Sequence, residues 1–412
     1  METTSLDATP VVTAFLYRRG KILLLRRSER AGTYPGRWAG VSGYLERPPL
    51  SQARLELQEE VGVVPEDASL RGLGVPLLVA APHAQIPWLV FTFLFRLRHG
   101  VRIVTDWESA AAEWVDPIEV SRRDAVPGLA DGLARVWPPW GGAGFWDVME
   151  AIAANTVTGA TDLALQGLRA VGRLRGDARR RGLLAFASLH PSMGIFPHLA
   201  ARALREHIAP AALRKEVEAA TRESARRAAR ALHGCRRLLT HSASTACREA
   251  LLQWWREGRE IVVTESRPQQ EGLELARDLA ARGLRVTVIS DAQIGLFVPR
   301  CDAVLVGADA IGPGDQLLNK AGTRLAALAA REAGVPCYAL AQTHKVSPPG
   351  WPLALTPQDP GDLARVGKAR VTNIAFDATP LSWFTAVFTE RGRTSVRALR
   401  SLRRTLVCPP GR

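Results

Sequence analysis

Glu56, Glu59 and Glu60 fall at spacings of three and four, which places Glu56 on the same helical face as the other two. Crowded carboxylates repel one another, and a hard divalent cation relieves that repulsion while bridging to phosphate oxygens. The plain alternative is a solvated acidic helix face. A second set of candidates follows short apolar runs late in the chain: Ser242 and Ser244, Arg267, Asp309, and the pair Asn319-Lys320. The residues 242–245 precede a helical stretch whose free amides favour an anion, Arg267 can grip a phosphate bidentately, and Lys320 adds a point charge. Each of these loops alone is ordinary turn and cap chemistry; together they predict a phosphate-sized anion site.

The elements that must position these groups are legible as changes of period. Residues 11–17 and 21–25 alternate around Arg18-Arg19-Gly20 and predict a hairpin. A Gly/Trp-rich loop over 36–43 leads into a helix over 50–61 that stops at Gly62, and strands are predicted at 88–97 and near 114–115. The run Val136-Trp137-Pro138-Pro139-Trp140-Gly141-Gly142 breaks all periodicity, as a linker would. Residues 145–231 read as helix, with breaks near Gly176, at His190-Pro191 and at Pro210. Apolar runs at 237–240, 261–264, 285–289, 303–306 and 336–340 then alternate with helical stretches, the pattern of a parallel sheet built from βαβ units. In such a sheet a ligand sits at the carboxyl ends of the strands, where the second set of candidates falls.

The 412 residues predict two or three domains. With 47% hydrophobic and 23% charged residues the chain can build cores and is not disordered. No apolar run has the length of a membrane span and the start lacks a signal-peptide pattern, so the expected location is the cytoplasm. Five cysteines without a CxxC pair argue for free thiols rather than disulfides or a structural zinc. The net charge of +14 admits a polyanionic partner, although it comes almost wholly from arginine spread along the chain. Arg393, Arg397, Arg400 and Arg404 form a basic helical stripe, as do Arg222, Arg226 and Arg230; a solvated face is the bland reading and nucleic-acid contact the sharper one.

The segment Gly36-Arg-Trp-Ala-Gly-Val-Ser-Gly-Tyr-Leu-Glu46, followed by Glu56-Leu-Gln-Glu-Glu-Val-Gly62, resembles the Nudix box of diphosphate hydrolases over residues 9–135. The resemblance implies an N-terminal Nudix α/β/α sandwich with a mixed sheet. It also implies Mg2+ or Mn2+ on Glu56, Glu59 and Glu60 and attack by an activated water on a nucleoside diphosphate-linked substrate. The sequence departs from that pattern where Arg47-Pro48-Pro49 replaces a Gly-Glu pair in a connection about two residues short, and where Leu55 replaces an arginine.

Thr264-Glu-Ser-Arg-Pro268, Val306-Gly-Ala-Asp-Ala-Ile311, Asn319-Lys-Ala-Gly-Thr323 and Phe376-Asp-Ala-Thr-Pro380 resemble a second family over residues 145–390. It unites translation initiation factor 2B regulatory subunits, ribose-1,5-bisphosphate isomerase and methylthioribose-1-phosphate isomerase. This implies a helical subdomain (143–235), a Rossmann-like parallel-sheet subdomain (236–412) after the Nudix-like domain (1–142), and a homo-oligomer formed through the C-terminal part. Isomerase members use a cysteine and an aspartate; the aspartate corresponds to Asp309, but Ser242 stands in the place of the cysteine, as in the initiation-factor subunits. Cys247, one helical turn on, is either a substitute or a core thiol. The family's Arg-Gly-Ala loop is Thr158-Gly159-Ala160 here, and its Arg-Pro-Thr is His190-Pro191-Ser192, so Gly159 and Ala160 remain as expected ligand contacts while two cations are lost. The resulting expectation is a metal-dependent diphosphate hydrolase joined to a sugar-phosphate- or nucleotide-binding domain. The alternatives are a non-catalytic ligand sensor and an aldose-1-phosphate isomerase.

Overall fold

The computed structural model describes residues 7–80 and 86–409. Its first unit is a mixed sheet. Strand β1 (Thr9–Arg18) turns through Arg19-Gly20 into β2 (Lys21–Arg27), and β3 (Trp38–Ala39) and β4 (Val41–Tyr44) follow. Helix α1 (Pro49–Val61) leads to β5 (Ala68–Leu73), β6 (Leu77–Val79), β7 (Trp88–Leu97), β8 (Ser109–Val115) and α2 (Leu129–Val136). The path β3-β2-β1-β7-β5 is extended by β4 on β1, β6 on β7 and β8 on β2, and only β1 and β7 pair in parallel. Alternation in β1 puts Val12, Ala14 and Leu16 in one core layer with Leu57 and Val61 of α1. Helix α1 starts with Pro49 at its first position and ends at Gly62, whose left-handed φ of 69° lets its N–H return to the carbonyls of Leu57 and Gln58.

The linker expected at 136–142 is six residues between α2 and α3 (Ala143–Ala154). It does not free the two parts from one another. Buried Leu73 and Phe93 of the first sheet, and Val75 between β5 and β6, belong to the same core as Phe145, Trp146 and Phe186 of the helices that follow. These are α3, α4 (Ala160–Gly172), α5 (Gly176–Ala187), α6 (Ile195–Arg205) and α7 (Pro210–Ala231), broken where the sequence places glycine, His-Pro and proline.

The C-terminal part alternates strand and helix: β9 (Arg237–His241), α8 (Thr245–Trp254), β10 (Glu260–Thr264), α9 (Glu271–Ala281), β11 (Val286–Ile289), the one-turn α10 (Ile294–Phe297) and β12 (Ala303–Val306). After the short β13 (Ala310–Ile311) and β14 (Gln316–Lys320) come α11 (Thr323–Glu332), β15 (Cys337–Leu340), the one-turn α12 (Pro360–Leu363), β16 (Phe376–Pro380), β17 (Ala386–Thr389), β18 (Gly392–Thr394) and α13 (Val396–Thr405). The main sheet runs β11-β10-β9-β12-β15-β17-β18 and is parallel except for the last pair. The expected five-run sheet is therefore joined by a sixth parallel strand, β17, which the sequence reading missed. A small antiparallel sheet, β13-β14-β16, also escaped it. Both consist of four- or five-residue segments and a two-residue bridge, too short to carry a period.

Candidate functional site

Two polar clusters stand apart, one in each half. In the first, Glu56 and Glu60 lie on the inner side of α1, and Glu59 is exposed. The Glu56 carboxylate accepts from Gln52 Nε2 at 2.7 Å, and Glu60 accepts from the Ser42 amide at 2.9 Å. Gly43 makes this approach of helix to strand possible: a Cβ there would lie 1.8 Å from Glu56 Oε1. Burial pushes the Glu60 carboxyl up to about 8, with repulsion from Glu56, Glu108 and Asp106 adding to it. Glu56 is raised for the same reason, burial first, with Glu59, Glu108 and Glu46 contributing.

Glu108 was invisible to the sequence reading because it sits in the loop before β8, far from the glutamate-rich helix; only a search for acids outside the motif would have found it. With Glu56 it lines a cavity of about 480 Å³ that also presents Arg27, Thr13, Tyr34 and Trp88. The two rings meet edge-on at 5.6 Å, and Arg37 stacks over Tyr34. Carboxylates that raise one another's proton affinity form a hard, anionic donor set, the chemistry a divalent cation would satisfy. Among the described residues no three His, Cys, Asp or Glu side chains are drawn together as a metal cluster.

In the second cluster the carboxyl ends of β9, β10, β12 and β14 converge. Ser242, left-handed at φ 67°, donates its hydroxyl to Glu271 Oε1 at 2.9 Å, and its amide donates to Ser266 Oγ at 2.9 Å. Lys320 Nζ lies 3.0 Å from the same Glu271 oxygen and donates to Gln269 Oε1 at 2.5 Å. Asp309 is half-buried beside two cations. Desolvation raises its carboxyl, while Lys345 and Lys320 pull it down. Lys345, buried on the other side, donates to the Ala308 carbonyl, and its ammonium is disfavoured by burial. Gly159 and Ala160 start α4 directly against the loop after β9: the nearest atoms to a Gly159 Cβ would be Ala243 O and Thr245 Oγ1, both at 3.9 Å. Thr245 Oγ1 donates to Asp162 Oδ2 at 3.0 Å, so the starts of α4 and α8 face each other.

Other expected contacts are placed differently. Ser244 caps α8, accepting from the Cys247 amide at 3.4 Å. Asn319 is buried and donates to Thr323 Oγ1 at 2.9 Å. The start of α11 is closed by Asp377, which accepts from the Gly322 and Arg324 amides at 2.8 and 3.0 Å. Arg267 is exposed at the rim and donates to the Leu363 carbonyl at 3.2 Å. Cys247 is a core thiol, 1% exposed and pushed by burial up to about 12, far from a thiolate. Glu271, Gln269 and Lys345 belong to the cluster and were not singled out from sequence. A glutamate opening a helix reads as a dipole partner, and a lysine after a strand as a solvated loop cation.

A mixed sheet with an acid-lined cleft followed by a doubly wound parallel sheet with polar strand ends defines a two-site α/β protein. Residues 7–136 match the NUDIX domain, and residues 200–395 match the initiation factor 2 subunit family. A Pyrococcus abyssi protein named putative translation initiation factor eIF-2B subunit 2-like is 32% identical over 263 residues, covering 60% of this chain and 94% of that one. The chain belongs to this initiation factor 2 subunit family, with a NUDIX domain in front.

A Pyrococcus horikoshii relative of the same name is 37% identical over 183 residues, 43% of this chain and 64% of the relative. The ribose 1,5-bisphosphate isomerase of Archaeoglobus fulgidus is 35% identical over 165 residues, 38% of this chain and 52% of the isomerase. The chain thus spans less than two thirds of the length of either of these two. The crystal structure of the Pyrococcus horikoshii translation initiation factor eIF-2B superposes with a TM-score of 0.55 at 28% identity, covering 61% of this chain and 97% of that one. No helix of the described residues is long and apolar enough to cross a membrane.

Proposed function

We propose that the N-terminal half hydrolyses a nucleoside diphosphate-linked compound with Mg2+ or Mn2+, and that the C-terminal half binds a sugar phosphate. The observation that carries the first part is Glu56 and Glu108 lining a 480 Å³ cleft that also bears Tyr34 and Trp88, with buried Glu60 on the same helix as Glu56. Glu56 and Glu60 on α1 would offer carboxylate oxygens to the cation, which when bound would screen the diphosphate and lower the pKa of water, and Glu108 lines the cleft beside Glu56. Tyr34 and Trp88 offer ring surface to a base, and Arg27 offers a guanidinium to a phosphate oxygen. The Ser42 amide and Gln52 fix the carboxylates in position.

For the C-terminal half, the facing starts of α4 and α8 with Lys320 support phosphate binding. Ser242 in place of a thiol favours binding or sensing over isomerisation, because a hydroxyl is a far weaker acid than a thiol.

The test is release of phosphate or nucleoside monophosphate from nucleoside diphosphate sugars, ADP-ribose and dinucleotides with Mg2+ or Mn2+. The comparison is wild type against Glu56→Gln/Glu60→Gln, with a loss of about a hundredfold or more expected. A wild type inert on the whole panel overturns the hydrolase reading.

A further inference from the structure

Glu271 occupies a position that helix stability alone does not explain. Its place at the start of α9 suits a carboxylate. Yet its side chain turns into the second cluster, where Oε1 takes both the Ser242 hydroxyl and the Lys320 ammonium. The residue is 7% exposed and its other oxygen, Oε2, is sealed from solvent with no donor. Gln269, whose Oε1 is taken by Lys320, has its Nε2 likewise sealed and without an acceptor. An orphaned acceptor and an orphaned donor thus flank one ammonium. Buried polar atoms of this kind cost stability unless something completes them. A hydroxyl does so, giving its proton to Glu271 Oε2 and accepting from Gln269 Nε2.

The charges point the same way. The cluster holds two cations, Lys320 and Lys345, against the carboxylates of Glu271 and Asp309, with Asp162 acting on Lys345 and Asp291 on His241 at its edges. His241 is buried on Thr264 Oγ1 and Ala321 O, and its burial disfavours the charged ring. His190 is held by burial at about 4, so it is neutral near pH 7. Position 158 carries threonine, and the Arg267 side chain lies at the exposed rim. One phosphate can be met by the amides at the starts of α4 and α8 together with Lys320. A second phosphate would meet the Glu271 carboxylate, and the one cation left inside, Lys345, is already engaged by Asp309 and the Ala308 carbonyl.

We propose that Glu271 makes the C-terminal site selective for a polyhydroxylated monophosphate, through a ligand hydroxyl on Oε2 and the exclusion of a second phosphate. This rests on reading the site as a phosphate site. It also sets the chain apart from relatives whose name specifies a ribose 1,5-bisphosphate. Cleavage of a diphosphate-linked sugar yields a ligand of this class, so the hydrolytic step assigned to the first half would supply it.

The full-length protein is titrated calorimetrically with inorganic phosphate, ribose 5-phosphate, monobutyl phosphate and ribulose 1,5-bisphosphate. Ribose 5-phosphate is expected to bind about tenfold or more tightly than monobutyl phosphate, since a site built for a hydroxyl rejects the analogue lacking one. Ribulose 1,5-bisphosphate should bind no better than ribose 5-phosphate. In Glu271→Gln the hydroxyl preference should shrink to about threefold or less, and the bisphosphate should gain about tenfold from the freed Lys320. Wild-type selectivity is informative even if the variant misfolds. Equal binding of ribose 5-phosphate and monobutyl phosphate, or a wild-type preference for the bisphosphate, overturns the role of Glu271. Failure of every phosphate compound, inorganic phosphate included, overturns the phosphate-site reading itself.

Discussion

His198 should make the protein acid-labile by an amount that follows from its surroundings. The imidazole is 4% exposed on α6, and its Nδ1–H donates to the Val346 carbonyl at 2.9 Å. Burial lowers its pKa from 6.5 to about 4; the Val346 bond opposes this, nearby Arg202 adds to it, and Glu206 and Glu390 oppose it. Between these two values the unfolded chain holds a proton that the folded chain excludes, so the free energy of unfolding falls as pH falls through that window. At pH 5 the unfolded imidazole is almost fully protonated and the folded one mostly neutral, which costs about 2 kcal/mol relative to pH 7. His344, which faces the same region, is held well below its ordinary value by burial and by His198, and acts in the same direction. The assay is urea unfolding at pH 7 and pH 5 in wild type and His198→Asn, an exchange that keeps an N–H donor and removes the titration. The variant should lose about 2 kcal/mol less than wild type between the two pH values. Equal losses in the two proteins would refute the reasoning, whatever the variant's stability at pH 7.

Two further outcomes follow from local geometry. Gly43→Ala places a methyl where Glu56 Oε1 now lies, and the flexible end of Glu56 rather than the backbone must move; diphosphate hydrolysis should fall about tenfold or more while the melting temperature changes little, as measured by turnover and calorimetry on the same sample. The stretch 361–370 is exposed at every residue and contains Arg365, Lys368 and Arg370, so brief trypsin treatment of the native protein should cut there first, with both large fragments remaining associated on gel filtration.

Periodicity made the two sheets and the intervening helices legible because their apolar faces are long. Glu56, Glu60, Ser242 and Lys320 were legible because motif spacing and strand ends place them. The partners that complete each cluster were not. Glu108 reaches the first from the loop before β8, Lys345 the second from the loop after β15, and Asp377 closes α11 from β16. None is near in sequence to the groups it faces, and pairwise spacing carries no signal across such distances. Arg267, expected to grip a ligand, donates to the Leu363 carbonyl in this structure, a partner 96 residues away that spacing could not indicate.

The departures from the two family patterns meet in space. Arg47-Pro48-Pro49 shortens the connection into α1, and His190-Pro191-Ser192 replaces a loop cation; Pro48, Pro49, His190, Pro191 and Ser192 all line one crevice. A shortened loop leaves the start of α1 with fewer supports of its own, and the second half supplies them. Arg54 pairs with Glu150 of α3, Arg47 lies 3.6 Å from Asp359, and Arg370 lies 3.6 Å from Glu46. The segment 359–370 therefore touches the Nudix-type loop at Arg47 and Glu46, through Asp359 and Arg370, and, through Leu363, the rim arginine of the other cluster. Exposed pairs of this kind contribute little stability one by one. Their joint effect is positional, fixing the helix that carries Glu56 and Glu60 against a surface belonging to the second half. Separating the halves would remove these contacts together with the core that residues of both halves share.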